Sequence, residues 1–301
     1  MVLVHPQRRA DAVRERLPSA AFRALRPRQW LKNVLVLGAP FTAGALGDPD
    51  VLVAASVAFV AFALVSSSVY LANDARDVEQ DRRHPTKRSR PIACGALPLP
   101  YACVMSAVLC AAALAVGFVQ STALFVTLLV YLVLQVSYSF GLKDEAVLDL
   151  AIVASGFLLR AVAGGVAAGI TLSPWFLMVA SFGSLFMVAG KRFSELSGLG
   201  PGSSTRACLQ HYSESYLRFV WGLAAGLTVI TYTLWALEHG EQDEHLWAML
   251  SIAPFVLALL RYAVDVDRGV AGAPEDIALG DRALQVLGVA WLALVGLAVY
   301  A

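Results

Sequence analysis

Residues 51–73 carry no charged side chain and are apolar almost throughout. An α-helix rises about 1.5 Å per residue, so a run of this length crosses the ~30 Å hydrocarbon core of a bilayer. Inside lipid the backbone has no water to bond, and a helix satisfies its polar groups internally. Similar runs recur at roughly 31–47, 100–119, 122–141, 147–168, 173–190, 216–237, 245–263 and 283–300. With 51–73 they make about nine candidate transmembrane helices. The first is the weakest, being short and interrupted by Gly38, Pro40 and Gly44. The expected fold is therefore an all-α, polytopic membrane bundle. Bulk composition agrees: 15% of residues are charged, against about 25% in soluble domains.

The connections between these runs alternate in character. The N-terminal segment, 74–99, 142–146, 191–215 and 264–282 are basic, whereas Gly47–Asp50, Gln120-Ser121, Gly169–Leu172 and Glu238–His245 hold no Lys or Arg. Of the 23 Lys and Arg residues, all but Arg160 lie in the basic set or at helix ends bordering it. Basic connections stay in the cytoplasm, which predicts a cell (inner) membrane protein with its N-terminus inside and its C-terminus outside. Residues 1–30 mix Arg with Val13, Leu17, Phe22 and Leu25. They read either as a basic amphipathic helix on an anionic membrane surface or as a solvated tail. Residues 31–301 are expected to form one transmembrane domain. No removable signal peptide is evident. Cys94, Cys103, Cys110 and Cys208 lack metal-ligand spacing and are expected to be free thiols. Faces of small residues suit a homo-oligomer, and no nucleic-acid partner is expected.

The sharpest chemical signal is Asn73-Asp74-Ala75-Arg76-Asp77-Val78-Glu79-Gln80-Asp81, which directly extends the run 51–73. Asn73, Asp77 and Asp81 are four residues apart and so share one helix face. Oxygen-bearing side chains stacked with no cation among them repel one another unless a cation joins them. Mg²⁺ is suited to that role, because it takes oxygen ligands and bridges carboxylates to substrate phosphates. The bland alternative is a solvated helix end. The loop that follows, His84-Pro85-Thr86-Lys87-Arg88-Ser89-Arg90-Pro91-Ile92-Ala93-Cys94-Gly95, is densely basic. Cations beside a metal face suit a polyphosphate substrate, although inside-positive charge alone also explains them.

This pair of motifs, Asn-Asp-x-x-Asp-x-x-x-Asp followed by Lys-Arg-x-Arg-Pro-Ile-x-x-Gly, resembles the UbiA superfamily of intramembrane prenyltransferases. The resemblance runs from about residue 26 over nearly the whole chain, and it implies a nine-helix bundle with a cytoplasm-facing site. Members of that superfamily bind a prenyl diphosphate through two aspartate-rich motifs. Here the second is missing: the loop after the sixth run reads Gly190-Lys191-Arg192-Phe193-Ser194-Glu195. With Arg26–Asn33 and Tyr138–Lys143, this departure resembles the branch of decaprenyl-phosphate phosphoribosyltransferases of actinobacterial cell-wall synthesis. That likeness implies phosphoribosyl diphosphate as donor, decaprenyl phosphate as acceptor and Mg²⁺ as cofactor.

The roles the likeness implies are as follows. Asn73, Asp77 and Asp81 hold the metal, and Asp77, Asn73 and Lys191 are the candidate catalytic residues. Lys87, Arg88 and Arg90 meet diphosphate oxygens. Lys191 and Arg192 stand as bare cations for the ribose 5-phosphate or the lipid phosphate. Glu195 orients Lys191 or binds ribose hydroxyls, and Asp74 acts behind the metal or on the ribose. Lys32, Asn33, Tyr138 and Lys143 face the same water layer as further candidate substrate contacts.

Arg160 stands apart, deep in the run 147–168, where an unpaired charge costs several kcal/mol. Asp149 is on the same face but about three turns away, so the partner must come from another helix. Arg160 serves either the lipid phosphate or helix packing, beside the small residues of Ala161–Gly165. The segment Pro274–Arg282 is either a lid or a plain connection. Two rival activities remain: prenyl transfer from a prenyl diphosphate, disfavoured by the missing second motif, and transport, which usually places charged sites near the midplane.

Overall fold

The structure is a computed structural model, and it describes residues 17–198, 207–238, 242–272 and 274–301. Residues 1–16 of the expected surface segment lie outside the described residues. Its remainder begins with a short helix, α1 (Leu17–Ala24), which buries Ala20 and Ala24 and leaves Leu17 and Phe22 exposed.

The segment expected to span at 31–47 is not one regular α-helix. It is a 3-10 helix, Pro27–Leu37, followed by a single short helix, α2 (Gly38–Thr42). A 3-10 helix has three residues per turn, so side chains three apart line up. Asn33 and Val36 are buried, while Leu31 and Val34 are exposed. Pro40 and Gly38 disfavour a long regular helix here.

Among the described residues, eight helices are long and apolar enough to cross a membrane. They are α3 (Pro49–Arg76), α5 (Leu99–Gln120), α6 (Thr122–Ser139), α7 (Leu148–Ala167), α8 (Pro174–Ser197), α9 (Glu214–Glu238), α10 (Gln242–Asp267) and α12 (Arg282–Tyr300). Between them lie the short α4 (Val78–Arg83) and α11 (Pro274–Gly280). Prolines open α3 and α8, where a missing N–H costs nothing. Asp48, Ser121 and Asp281 accept N–H bonds that would otherwise be orphaned at the starts of α3, α6 and α12. At Asp281 the Leu284 amide and the Arg261 guanidinium hold the carboxyl below its usual range.

The polar connections gather at one end of the bundle. Val147 donates its N–H to Tyr212 Oη at 2.8 Å, and Ala271 donates to Ser194 Oγ at 3.1 Å. At the opposite end Tyr300 Oη donates to the Phe41 carbonyl, Gln120 to the Ala167 carbonyl and Trp175 to Glu238.

Helix packing depends on glycines where a side chain would not fit. A Cβ on Gly164 would collide with the Val36 carbonyl, and one on Gly165 would press on Leu172 and Ala39. This pair lets the 3-10 segment lie directly against α7. Replacing Gly164 with alanine is therefore expected to push that segment off α7 and lower the thermal unfolding midpoint in detergent by several degrees. Replacing Gly222, around which there is open space, should leave the midpoint unchanged.

Candidate active site

The acidic motif sits at the polar end of α3. The helix stops at Arg76, yet the backbone bonds continue through Asp77: its N–H donates to the Asn73 carbonyl at 2.9 Å, and the Asp81 N–H donates to the Asp77 carbonyl at 2.9 Å. Asn73, Asp77 and Asp81 therefore keep one face across the junction into α4. Asn73 Oδ1 accepts from Ser139 Oγ at 2.6 Å. The half-buried Asp77 carboxylate has no side-chain partner among the described residues.

Asp81 corrects one expectation. The cation beside it is supplied by the chain: Arg90 Nη1 donates to Asp81 Oδ2 at 2.7 Å and to Asp74 Oδ1 at 3.0 Å. Arg90 is thus held against the acidic face rather than standing free for phosphate. The cause is the loop's own packing. Ile92 and Leu97 are buried with Ala20, Ala24 and Leu71, and the Leu97 N–H closes onto the Pro91 carbonyl. Lys87 and Arg88 lie on the adjoining 3-10 turn, which His84 Nδ1 caps by accepting the Thr86 and Lys87 N–H groups.

Asp74 is joined to Asp81 of the metal set through the one Arg90 nitrogen that both accept from. Arg26 Nη2 donates to both of its oxygens, at 2.6 and 2.8 Å. Arg26 has a positive φ of 55° and stacks over Tyr70. The likeness quoted Arg26 but assigned it no role. Its proline neighbour and position ahead of a membrane segment were the only signals.

The basic pair, expected in a loop, lies inside the last turns of α8, and the reading of Arg192 is corrected. Arg192 is not a bare cation. It is 2% exposed and donates to Asp149, which is 0% exposed, through Nε at 2.7 Å and Nη2 at 2.8 Å. It also pairs with Glu195 at 2.7 Å and approaches Tyr138 Oη at 3.3 Å. Tyr138 in turn donates to Asp149 at 2.8 Å. Glu195 therefore holds Arg192, its neighbour one turn back. Lys191 is half-buried beside this network. Asp149 was considered only as a partner for Arg160. Its place in the first turn of α7, with Arg192 in the last turns of the following antiparallel helix, was the available hint. Val147, with a positive φ of 68°, leads into this turn. Tyr212 holds it, and burial pushes the Tyr212 hydroxyl up to about 12.

Tyr138 and Ser139 join the two halves. Tyr138 reaches Asp149 and Arg192, while the next residue reaches Asn73 through its hydroxyl and Arg76 through its carbonyl. Lys143 lies on the turn just beyond, at the same end. The acidic and basic groups thus flank the end of α6.

Arg160 and Asn33 lie deeper. Arg160 donates to Asn33 Oδ1 at 2.9 Å, to the Gly156 carbonyl and to Tyr131 Oη at 3.2 Å, and it stacks over Phe62 and Tyr131. The expected partner from another element is therefore an amide and two aromatic faces, with no carboxylate among the described residues. The cation–π contacts and hydrogen bonds offset its burial. Lys32, next to Asn33, sits over the Phe157 ring of α7.

Oxygen donors of Asn73, Asp77 and Asp81 suit a hard cation such as Mg²⁺. Among the described residues Asp77 has no side-chain partner, whereas Asp81 is held by Arg90 and Asn73 Oδ1 by Ser139, so Asp77 is the donor left open to such an ion.

Comparison with known proteins places the chain in a clear context. A family model described as the UbiA prenyltransferase family matches residues 34–194. A decaprenyl-phosphate phosphoribosyltransferase of Mycolicibacterium smegmatis is 50% identical over 94% of this chain and 93% of its own. The protein of that name in Corynebacterium glutamicum is 48% identical over 94% and 88%. Among solved structures, a UbiA homolog from Archaeoglobus fulgidus bound to GPP and Mg²⁺ matches 93% of this chain and 99% of its own, at a TM-score of 0.71 and 18% identity.

Proposed function

Because the chain belongs to the UbiA prenyltransferase family, we propose that it transfers 5-phosphoribose from phosphoribosyl diphosphate to decaprenyl phosphate. The products are diphosphate and 5-phosphoribosyl-monophosphodecaprenol. The observation that carries this reading is the two-sided polar end: carboxylates on one side of Tyr138-Ser139 and a fixed arginine with Lys191 on the other. About half identity to phosphoribosyltransferases over nearly the full length supports the choice of donor and acceptor.

In this scheme an oxygen of the lipid phosphate forms the new bond to ribose C1, and the C1–O bond to diphosphate breaks with its electron pair leaving on diphosphate. The lipid phosphate has a second pKa near 6, so it is already ionised at neutral pH and needs no strong base. The transition state carries positive character at the sugar, as in other glycosyl transfers. Mg²⁺, held by Asn73, Asp77 and Asp81, would neutralise the leaving diphosphate. Lys87 and Arg88 add cationic contacts to that group. Arg90 holds Asp81 and Asp74 in place. Lys191 is placed to meet a phosphate of the donor, and Arg192 positions it by fixing the last turns of α8. Tyr138 and Glu195 act through Arg192, and Lys32, Asn33 and Lys143 complete the polar lining. Arg160 holds Asn33 and the 3-10 segment. The site faces the cytoplasm of the cell membrane, with the N-terminus inside.

Purified protein given labelled phosphoribosyl diphosphate, decaprenyl phosphate and Mg²⁺ is expected to form labelled lipid. Turnover only with a prenyl diphosphate donor, or solute exchange in proteoliposomes without any chemical product, would refute the proposal.

A further inference from the structure

Among the described residues the buried charged side chains are Asp74, Asp81, Asp149, Arg160 and Arg192. The three aspartates and Arg192 are all in ion pairs. Arg160, at 5% exposure, has no acidic partner among the described residues. Its contacts with Asn33 Oδ1, the Gly156 carbonyl, Tyr131 Oη and two aromatic rings are all to neutral groups. They lessen the cost of burial and leave one positive charge unbalanced. A second group beside it is also unsatisfied. Asn33 is 0% exposed, and its Nδ2 has no hydrogen-bond partner. Turning the amide over would not help, because Nδ2 would then face the Arg160 Nε–H. Asn33 therefore keeps both N–H groups of its amide uncommitted, and Arg160 keeps one on each of Nη1 and Nη2.

The surroundings add space and further donors. A Cβ on Gly156 would stand 3.4 Å from Gln135 Nε2, 3.5 Å from Arg160 Nη1 and 3.7 Å from the Tyr131 ring. Glycine thus leaves a methyl-sized gap among these groups. Lys32, next to Asn33, brings its ammonium over the Phe157 ring, the next residue of α7. Guanidinium, ammonium and amide N–H groups together suit a phosphate. The Arg160 side chain turns back toward the polar end, to the carbonyl of Gly156. From Gly156 to Asp149, in the first turn of α7, is about 10 Å along the helix. On α6, Tyr131 meets Arg160 and Ser139 meets Asn73, and these two residues are about 12 Å apart along the axis. The cluster therefore lies directly beneath the acidic face, about 10–12 Å deeper.

We propose that Arg160 and Asn33, with Lys32, bind the phosphate of the donor that is remote from its diphosphate, the one on ribose C5. This deepens, and rests on, the phosphoribosyl-transfer reading. The acceptor's phosphate must touch C1, the carbon that carries the diphosphate, so it stays beside the metal face. The C5 phosphate lies across the sugar ring and is the group placed to reach a cation deeper in the bundle. Its charge balances Arg160, and its oxygens take the uncommitted N–H groups of Arg160 and Asn33. A prenyl tail on the same path would leave that charge against hydrocarbon.

The test uses the full chain in phosphatidylcholine nanodiscs. Binding of ribose 5-phosphate is measured without Mg²⁺, which keeps the metal face out of the reading, and KM for each substrate is measured in turnover. The informative variant is Asn33→Asp. It places a carboxylate of nearly the same size where the amide oxygen already meets Arg160, so the cation gains an internal partner. The thermal midpoint is expected to hold or rise, while ribose 5-phosphate binding weakens and the donor KM rises, each about tenfold or more, with the acceptor KM unchanged. A purely structural Arg160 would give the same midpoint and leave binding and donor KM alone. Arg160→Gln should lose binding to the same extent, and Arg160→Lys should recover part of it. Failure of the wild type to bind ribose 5-phosphate, or equal binding by Asn33→Asp, overturns the proposal. A lowered midpoint in Asn33→Asp also overturns it, because the charge was then not unbalanced. Loss of farnesyl phosphate binding in place of ribose 5-phosphate binding gives the site to the acceptor and overturns it too. If the wild type fails to transfer phosphoribose but binds ribose 5-phosphate in a way that Asn33→Asp abolishes, the subsite stands and the transfer reading falls.

Discussion

Replacing Asp77 with alanine is expected to lower phosphoribosyl transfer by roughly two to three orders of magnitude, the effect of losing one fixed electrostatic contact to a developing charge. Asp77 is the informative position because no side chain among the described residues competes for it. Asp81 is already occupied by Arg90, and Asn73 accepts from Ser139. Removing either of those would disturb a neighbour, and the loss would mix binding with local collapse. Asp77 is half-buried at the junction of α3 and α4, so alanine there should change the thermal midpoint little. The matching readout is calorimetric: Mg²⁺ together with phosphoribosyl diphosphate should raise the midpoint of the wild type and not of Asp77→Ala. Transfer within about threefold of wild type would remove Asp77 from the metal set.

Asp149→Ala is expected to be the most destabilising substitution at the polar end. It leaves the Arg192 guanidinium buried without its main counter-charge, which costs about 3–5 kcal/mol. For a protein of this size that corresponds to a fall on the order of 10 °C in the unfolding midpoint. Glu195, partly exposed and one turn away on the same helix, compensates only in part. The double variant Asp149→Leu with Arg192→Met tests the cause. Removing both charges should recover most of the stability, because no ion is then left unpaired. Activity should stay low in the double variant, since Lys191 would no longer have its neighbour fixed. A single Asp149→Ala variant with an unchanged midpoint would show that the pair contributes nothing net.

These two expectations draw on different kinds of information. Asp77 was legible in the sequence: the four-residue spacing of Asn73, Asp77 and Asp81 follows from helix geometry alone, and it survived even the break at Arg76. Asp149 was not. Its bond to Arg192 spans 43 residues, that of Arg26 to Asp74 spans 48 and that of Arg160 to Asn33 spans 127. No local pattern records which of several charged residues will meet across a packed bundle. Treating Arg192 as a bare cation failed for this reason, and Arg90 likewise meets Asp74 and Asp81.

The sequence by itself determined the membrane-spanning helices, their alternation and the polar end, because the cost of burying charge and unpaired backbone in lipid is set residue by residue. It also determined the acidic face, because helical periodicity is local. Only the tertiary structure decided how the charges pair and that Pro27–Leu37 is a 3-10 helix laid on the glycines of α7. Those outcomes depend on side chains distant in the chain coming within hydrogen-bonding reach, and that is settled when helices pack.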